Sequence, residues 1–350
     1  MAALSAGQER LTLSVERLLA EYVAHLENAG KALSAKDAKN MFKNHISEAF
    51  PAFAVLPAAD LKPTQVVEIL RRLIHADKPT TARKLRSYLR AAYSLAVGAA
   101  HDPNSNAQMD RFGIKDNPVQ SVKTIVGGSV AGERALSTSE LKAYIEALKA
   151  DTSETSQVLL LALYLAGQRM SQLLRVKVSD VHEAEQTILM EDPKGRRAKP
   201  RKHVVPYGLL GRELIKERLA DCRKHKTDYL FVDNEVEVSG RLTVASKIVN
   251  QLSKDMVANP ASFGLASMKP FRMGDIRRTC ETLLAAFVSK DIRAQLLSHG
   301  VSGVQASNYD RHSYLEEKRA AIEGWETRLA DILSAKTRTA SKLKDTAAAD

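Results

Sequence analysis

Two arginines far apart in the chain, Arg169 and Arg277, are followed in chain order by His299 and Tyr309. Tyr309 opens the string Tyr309-Asp310-Arg311-His312, ten residues after His299 and thirty-two after Arg277. A phenol with a free pKa near ~10 is a poor nucleophile unless its site offsets the negative charge that develops. Guanidiniums do this for phosphates, because their planar donor forks match two non-bridging oxygens at once. The set therefore points to attack on a phosphodiester. A net charge of +11 fits a polyanionic substrate.

Each of these residues also has an ordinary structural use. Arg169 follows the apolar run Leu159 to Ala166, where a structural ion pair or a snorkelling side chain is the plain reading. Lys194 lies in the turn Asp192-Pro193-Lys194-Gly195, with Arg196, Arg197, Lys199, Arg201 and Lys202 close behind. So many cations suit either a phosphate backbone or a solvated face. Arg277 and Arg278 sit near a helix start, about 100° apart around the axis, so one can face a site while the other faces elsewhere. His299 precedes Gly300 at a helix end, where a cap is the commoner use. Tyr314 is near enough to Tyr309 to be a rival nucleophile.

The elements that must position these residues are mostly helices. Residues 11 to 100 read as helical: Leu13, Leu18, Leu19, Tyr22, Val23 and Leu26 recur at helical spacing, and Gly30 is a natural stop. On the next helix Lys36, Lys39 and Lys43 share a face, with Ala38, Met41, Phe42 and Ile46 turned inward. A helix from Thr80 to Val97 carries Arg83, Lys84, Arg86 and Arg90, and Asp102-Pro103 ends it. Residues 127 to 132 read as a flexible linker. Ser137 and Glu140 then form a capping-box pattern, and residues 137 to 176 read as helical. Two short strands, Thr187 to Glu191 and His203 to Tyr207, flank the basic turn. Helices follow at 209 to 225, 275 to 288 and 290 to 298. A last amphipathic helix begins near Leu315, with Ile322, Trp325, Leu329, Ile332 and Leu333 on one side.

The fold class expected is mainly α with a small antiparallel sheet, in two domains. Its parts are a short tail (1–10), a helical domain (11–126), a linker (127–134), a larger domain with its C-terminal helix (135–335) and a disordered tail (336–350). A chain of 350 residues has room for two cores. Two cysteines, Cys222 and Cys280, form no CxxC or Cys/His cluster, so neither a disulfide framework nor a structural zinc site is expected, and a reducing cytoplasm fits. The N-terminus shows no signal-peptide pattern, and no apolar run reaches the ~18 residues of a membrane span.

In this order and spacing, Arg169, Lys194, Arg277, His299 and Tyr309 resemble the tyrosine recombinases, the phage-integrase-like family, in the form found in proteobacterial phages and islands. Ala166-Gly167-Gln168-Arg169-Met170-Ser171-Gln172-Leu173-Leu174 is similar to the family's first arginine box. Pro193-Lys194-Gly195 falls on its hairpin, Asp275-Ile276-Arg277-Arg278-Thr279 is similar to the second box, and Leu296-Leu297-Ser298-His299 to the histidine box. Two positions depart: Gly274 stands where the second box opens with histidine, and Gln172 where the first box is acidic.

The resemblance implies a helical core-binding (DNA-binding) domain over residues 10 to 125 and a catalytic domain over 135 to 333, together a two-domain DNA clamp whose reaction needs no cofactor, neither ATP nor metal. It implies Tyr309 as nucleophile, Arg169 and Arg277 on the phosphate, Lys194 as acid to the leaving oxygen, and His299 as phosphate donor or proton acceptor. Double-stranded DNA, a homo-tetramer on paired sites and accessory DNA-bending proteins are the partners implied, near the bacterial nucleoid and away from membranes. Lys36, Lys39, Lys43, Arg83, Lys84, Arg86, Arg90, Arg196 and Arg197 are the DNA contacts expected. Gly274 also keeps open a catalytically impaired DNA-binding protein on the same fold.

Overall fold

The computed structural model describes residues 13–103, 107–127, 132–192, 201–231, 238–298 and 314–335. Chain contacts divide it into two compact units, Met1–Ala131 and Gly132–Asp350. The tails 1–12 and 336–350, and positions 128–131 of the expected linker, lie outside the described residues.

The first unit is helical. Helix α1 (Val15–Asn28) is capped by Ser14, whose hydroxyl accepts from the Arg17 amide, and buries Leu18, Leu19, Tyr22, Val23 and Leu26. It ends at Ala29, and Gly30 takes a left-handed φ of 69° while Lys31 N–H donates to Leu26 O. Helix α2 (Ala32–Phe42) runs into a π-helical turn at Lys43–Ser47. Prolines open α3 (Pro63–His75) and α4 (Pro79–Ala99), positions where their missing N–H costs no helical hydrogen bond. Tyr22, Phe42 and Tyr88 join α1, α2 and α4 through rings 6.2–6.5 Å apart.

The second unit opens on the expected capping box. Glu140 N–H donates to the Ser137 hydroxyl and Ser137 N–H to the Glu140 carboxylate, starting α5 (Thr138–Ala150). The helix expected to run on to residue 176 breaks instead. Asp151 draws the hydroxyls of Ser153 and Ser156 to itself, at 2.9 and 2.7 Å, and Ser153 then caps a new helix, α6 (Glu154–Tyr164). Serine and aspartate compete with helical backbone bonding in this way.

A three-stranded antiparallel sheet, β1 (Val181–His182), β2 (Thr187–Asp192) and β3 (Arg201–Pro206), follows in sequential order. The sequence reading missed the two-residue β1, stopped β2 one residue early and began β3 two residues late. In the register observed, Asp192 pairs with Arg201 and Met190 with His203. Helix α7 (Leu209–His225) matches its expected bounds. Helix α8 (Val238–Ala258), which the sequence reading left out, buries Ala245, Val249 and Met256. Helices α9 (Met273–Leu284) and α10 (Lys290–Leu296) precede the C-terminal α11 (Leu315–Ser334).

Helix α11 packs its apolar side on its own unit. Trp325 is fully buried and its indole N–H donates to Leu163 O at 2.8 Å. The Glu326 carboxylate accepts from the backbone N–H groups of Leu209, Leu210 and Gly211, capping the start of α7. The Lys318 ammonium donates to Val204 O on β3, and burial pushes its pKa down to about 8. No helix among the described residues is long and apolar enough to cross a membrane.

Candidate active site

Three local structures build the site. The first is the end of α6. Eight successive residues there, Val158 to Leu165, are buried, so the chain must turn sharply to bring a polar residue out of the core. Ala166 and Gly167 both adopt positive φ, and the N–H groups of Gly167 and Gln168 close on Ala162 O. Gly167 is required by space as well as by conformation. A Cβ there would lie 3.0 Å from the Cys280 Cβ and 3.2 Å from the Arg277 Cα. The turn leaves Arg169 in extended conformation at the head of the one-turn helix Met170–Leu173.

The second is the first turn of α9. Asp275 accepts from the Arg272 N–H at 2.8 Å and also takes the Arg278 guanidinium. Arg278 donates to Arg134 O, and Thr279 accepts from the Leu136 N–H. The adjacent arginines therefore divide as the helical angle predicts, Arg278 fastening the segment that enters the unit and Arg277 turning toward Arg169. The third is the end of α10. Leu297 and Ser298 present their carbonyls there, Ser298 in left-handed backbone with φ 51°.

These pieces meet. Arg277 Nη1 donates to Gly167 O at 2.7 Å and Nη2 to Leu297 O at 2.6 Å. Arg169 Nη1 lies 3.4 Å from the same Leu297 O and 3.3 Å from Ser298 O. Gln168, buried, donates its amide to Leu165 O and Leu296 O, tying the first turn to α10. Burial, and then the neighbouring Arg169 charge, push the Arg277 pKa down to about 10. The Arg277 guanidinium thus remains cationic at neutral pH despite the charge beside it.

Asp192 closes the arrangement. Its carboxylate lies 3.7 Å from Arg169 Nη1 and accepts the Ser298 hydroxyl at 2.9 Å. The sequence reading treated Asp192 only as part of a turn, and gave Gln168 and Ser298 no role beyond the motifs containing them. A signal for Asp192 was present: alternation from Ile188 and Met190 places it on the inner face, where a carboxylate must find a cation. His203, also buried on β3, is pushed down to a pKa of about 3 by burial and then by the Lys318 and Arg201 charges, so it stays neutral.

Lys194, Arg196, Arg197, His299 and Tyr309 lie outside the described residues. The rival Tyr314 stands at the head of α11 in left-handed backbone. Gly274 is exposed in the first turn of α9, and a Cβ there would meet nothing within 4 Å. Gln172 is buried, and its amide finds no hydrogen-bond partner among the described residues. Of the cations expected to touch DNA in the first unit, Lys36, Lys39 and Arg83 are exposed. Lys84 pairs with Asp37 at 2.7 Å and Lys43 with Glu48 at 3.7 Å. Arg86 donates to Val122 O and Arg90 to Gln120, so both hold the segment after α4. No group of three or more His, Cys, Asp or Glu residues could hold a metal among the described residues.

The model of the phage integrase family matches residues 134–313, more than half of the chain. The chain belongs to this family. The family's central-domain model matches residues 15–110. Among solved structures, a lambda integrase dimer bound to a COC′ core site is 18% identical, with 85% of this chain and 98% of that one covered at a TM-score of 0.56. The Tn1549 transposon integrase in complex with circular intermediate DNA is 13% identical, covering 88% and 98% at 0.56. A lambda integrase tetramer bound to a Holliday junction is 18% identical, covering 84% and 78%, also at 0.56. At these identities the likeness is one of fold: an integrase fold, mainly helical with a small antiparallel sheet. Among curated proteins, none matches the chain.

Proposed function

We propose that this phage integrase family member is a site-specific DNA recombinase that cuts and rejoins DNA through a 3′-phosphotyrosyl intermediate, integrating or excising a mobile element. One observation carries the reading: two guanidiniums from distant boxes converge on the Leu297 carbonyl, two residues before His299. Such a pair can hold the non-bridging oxygens of one phosphate and offset the charge of a pentavalent transition state.

In the reaction proposed, the Tyr309 phenolic oxygen forms a bond to phosphorus and passes its proton to His299. The bond from phosphorus to the 5′ oxygen breaks, and that oxygen takes a proton from Lys194. Attack by the 5′-hydroxyl of a partner strand reverses these steps and joins the strands. The bond energy is retained, so no nucleotide or metal cofactor is required. Residues 135–335 are the catalytic domain in this account and 11–126 the core-binding domain. Lys36, Lys39, Lys43, Arg83 and Lys84, with Arg196 and Arg197, supply contacts to the phosphate backbone, while Arg86 and Arg90 hold the segment after α4. Two duplexes, held by four copies of the chain, exchange strands.

The test uses a supercoiled plasmid carrying the DNA that flanks the gene. Denaturation in the presence of the protein is expected to trap a covalent protein–DNA adduct at one mapped position. Sequence-specific binding with no adduct, on the plasmid and on a nicked duplex of the bound site, would favour a DNA-binding protein on this fold and overturn the enzymatic reading.

Gly274 bears on the rate. A histidine has room there and could supply one more donor to the phosphate. Gly274→His is expected to raise adduct formation by roughly 10-fold, the worth of one hydrogen bond to a charged group. Single-turnover kinetics on the mapped site checks this, and an unchanged rate would mean that the donor is not missing.

A further inference from the structure

We propose that Asp192 is a positioning residue, a buried carboxylate that fixes the Arg169 guanidinium for the scissile phosphate before DNA arrives. This rests on the reading of Arg169 as a phosphate-binding group. The geometry is a closed triangle. Asp192 Oδ2 lies 3.7 Å from Arg169 Nη1 and accepts the Ser298 hydroxyl at 2.9 Å, and Arg169 Nη1 lies 3.3 Å from Ser298 O. The Asp192 side chain is only 10% exposed, so the charge is little screened by water.

Two tasks need such a group. Arg169 and Arg277 share the Leu297 carbonyl, and like charges this close repel. A fixed carboxylate offsets that repulsion while the site is empty and selects one rotamer of a long side chain. Ser298 must also hold left-handed backbone, which its hydroxyl bond to Asp192 supports. Chain connectivity widens the reach: Asp192 ends β2 two residues before Lys194, and Ser298 directly precedes His299. The turn, the first arginine box and the histidine box are thus adjoined at one carboxylate.

Asp192→Asn keeps the shape and still accepts from Ser298, but removes the charge. The probes are two duplexes of the mapped site, one with the natural phosphodiester and one with a methylphosphonate at the scissile position. A methyl group there replaces a non-bridging oxygen and removes the negative charge that an arginine must neutralise. Asp192→Asn is expected to slow adduct formation on the phosphodiester by roughly 30-fold, yet to stay within about 3-fold of wild type on the methylphosphonate. Arg169→Ala should show the same selectivity more strongly.

Equal losses on both duplexes would reduce Asp192 to a merely structural residue and overturn the proposal, as would an unchanged rate on the phosphodiester. If Arg169→Ala itself loses both substrates equally, the reading of Arg169 falls, and the proposal with it. Should Asp192→Asn not fold, Ser298→Ala decides, because it keeps the charge and releases the carboxylate from its tether. The same selective loss supports the proposal, and an equal loss on both duplexes overturns it.

Discussion

Arg277→Ala is expected to lower the single-turnover rate of adduct formation by about 10²–10³-fold, the usual cost of removing one preorganised donor from a developing oxyanion. Binding to the same duplex should change far less, because many phosphate contacts contribute to it. Lysine should not restore the rate. Arg277 uses its two terminal nitrogens on two carbonyls, Gly167 O and Leu297 O, and so joins the α6 turn to the end of α10. One ammonium is a point charge and lacks the rigid fork that spans both. A rate for Arg277→Lys near wild type would show that charge alone suffices, and that the fork geometry is incidental. The lowered pKa sets a further boundary. A base whose pKa is depressed by burial loses its proton at lower pH, so the Arg277 charge is present through neutral pH and fades only toward pH 10.

Trp325→Ala is expected to destabilise the second unit by ~3–5 kcal/mol, the range for truncating a large buried aromatic. Trp325 is fully buried, and the Leu163 carbonyl that it satisfies lies at the end of α6, just before the turn that sets Arg169. Truncation leaves a cavity and a buried acceptor without its donor. Trp325→Phe refills most of the volume and should cost clearly less. Urea unfolding followed by circular dichroism measures both, since the only tryptophan is the residue removed. A loss below about 1 kcal/mol for alanine would mean that α11 is loosely held, and the self-docked helix would need another explanation.

Much of this fold was legible because its signals are local. The box at Ser137 and Glu140, the apolar side of α11 and the bounds of α7 follow from capping and from the helical period. The break at Asp151 was missed because a serine-rich junction between apolar runs can be bridged by either helix or turn. The omission of α8 was avoidable, since Leu242, Ala245, Val249, Leu252 and Met256 recur at helical spacing. For the site, residue types and order exposed the arginines, but not what holds them. The roles of Gln168, Asp192 and Ser298 depend on carbonyls and carboxylates that meet only in three dimensions. Sequence also could not separate the cations of the first unit. Lys36 and Arg83 are exposed, whereas Arg86 is spent on the Val122 carbonyl.

The central claim is that Tyr309 attacks a phosphodiester and retains its 3′ phosphate. Peptide mass mapping of the trapped adduct tests it most directly, after nuclease trimming of the bound strand. The expected result is one modified peptide, with the nucleotide joined through its 3′ phosphate to Tyr309 and a free 5′-hydroxyl on the other fragment. Attachment to Tyr314, or through a 5′ phosphate, would contradict the account.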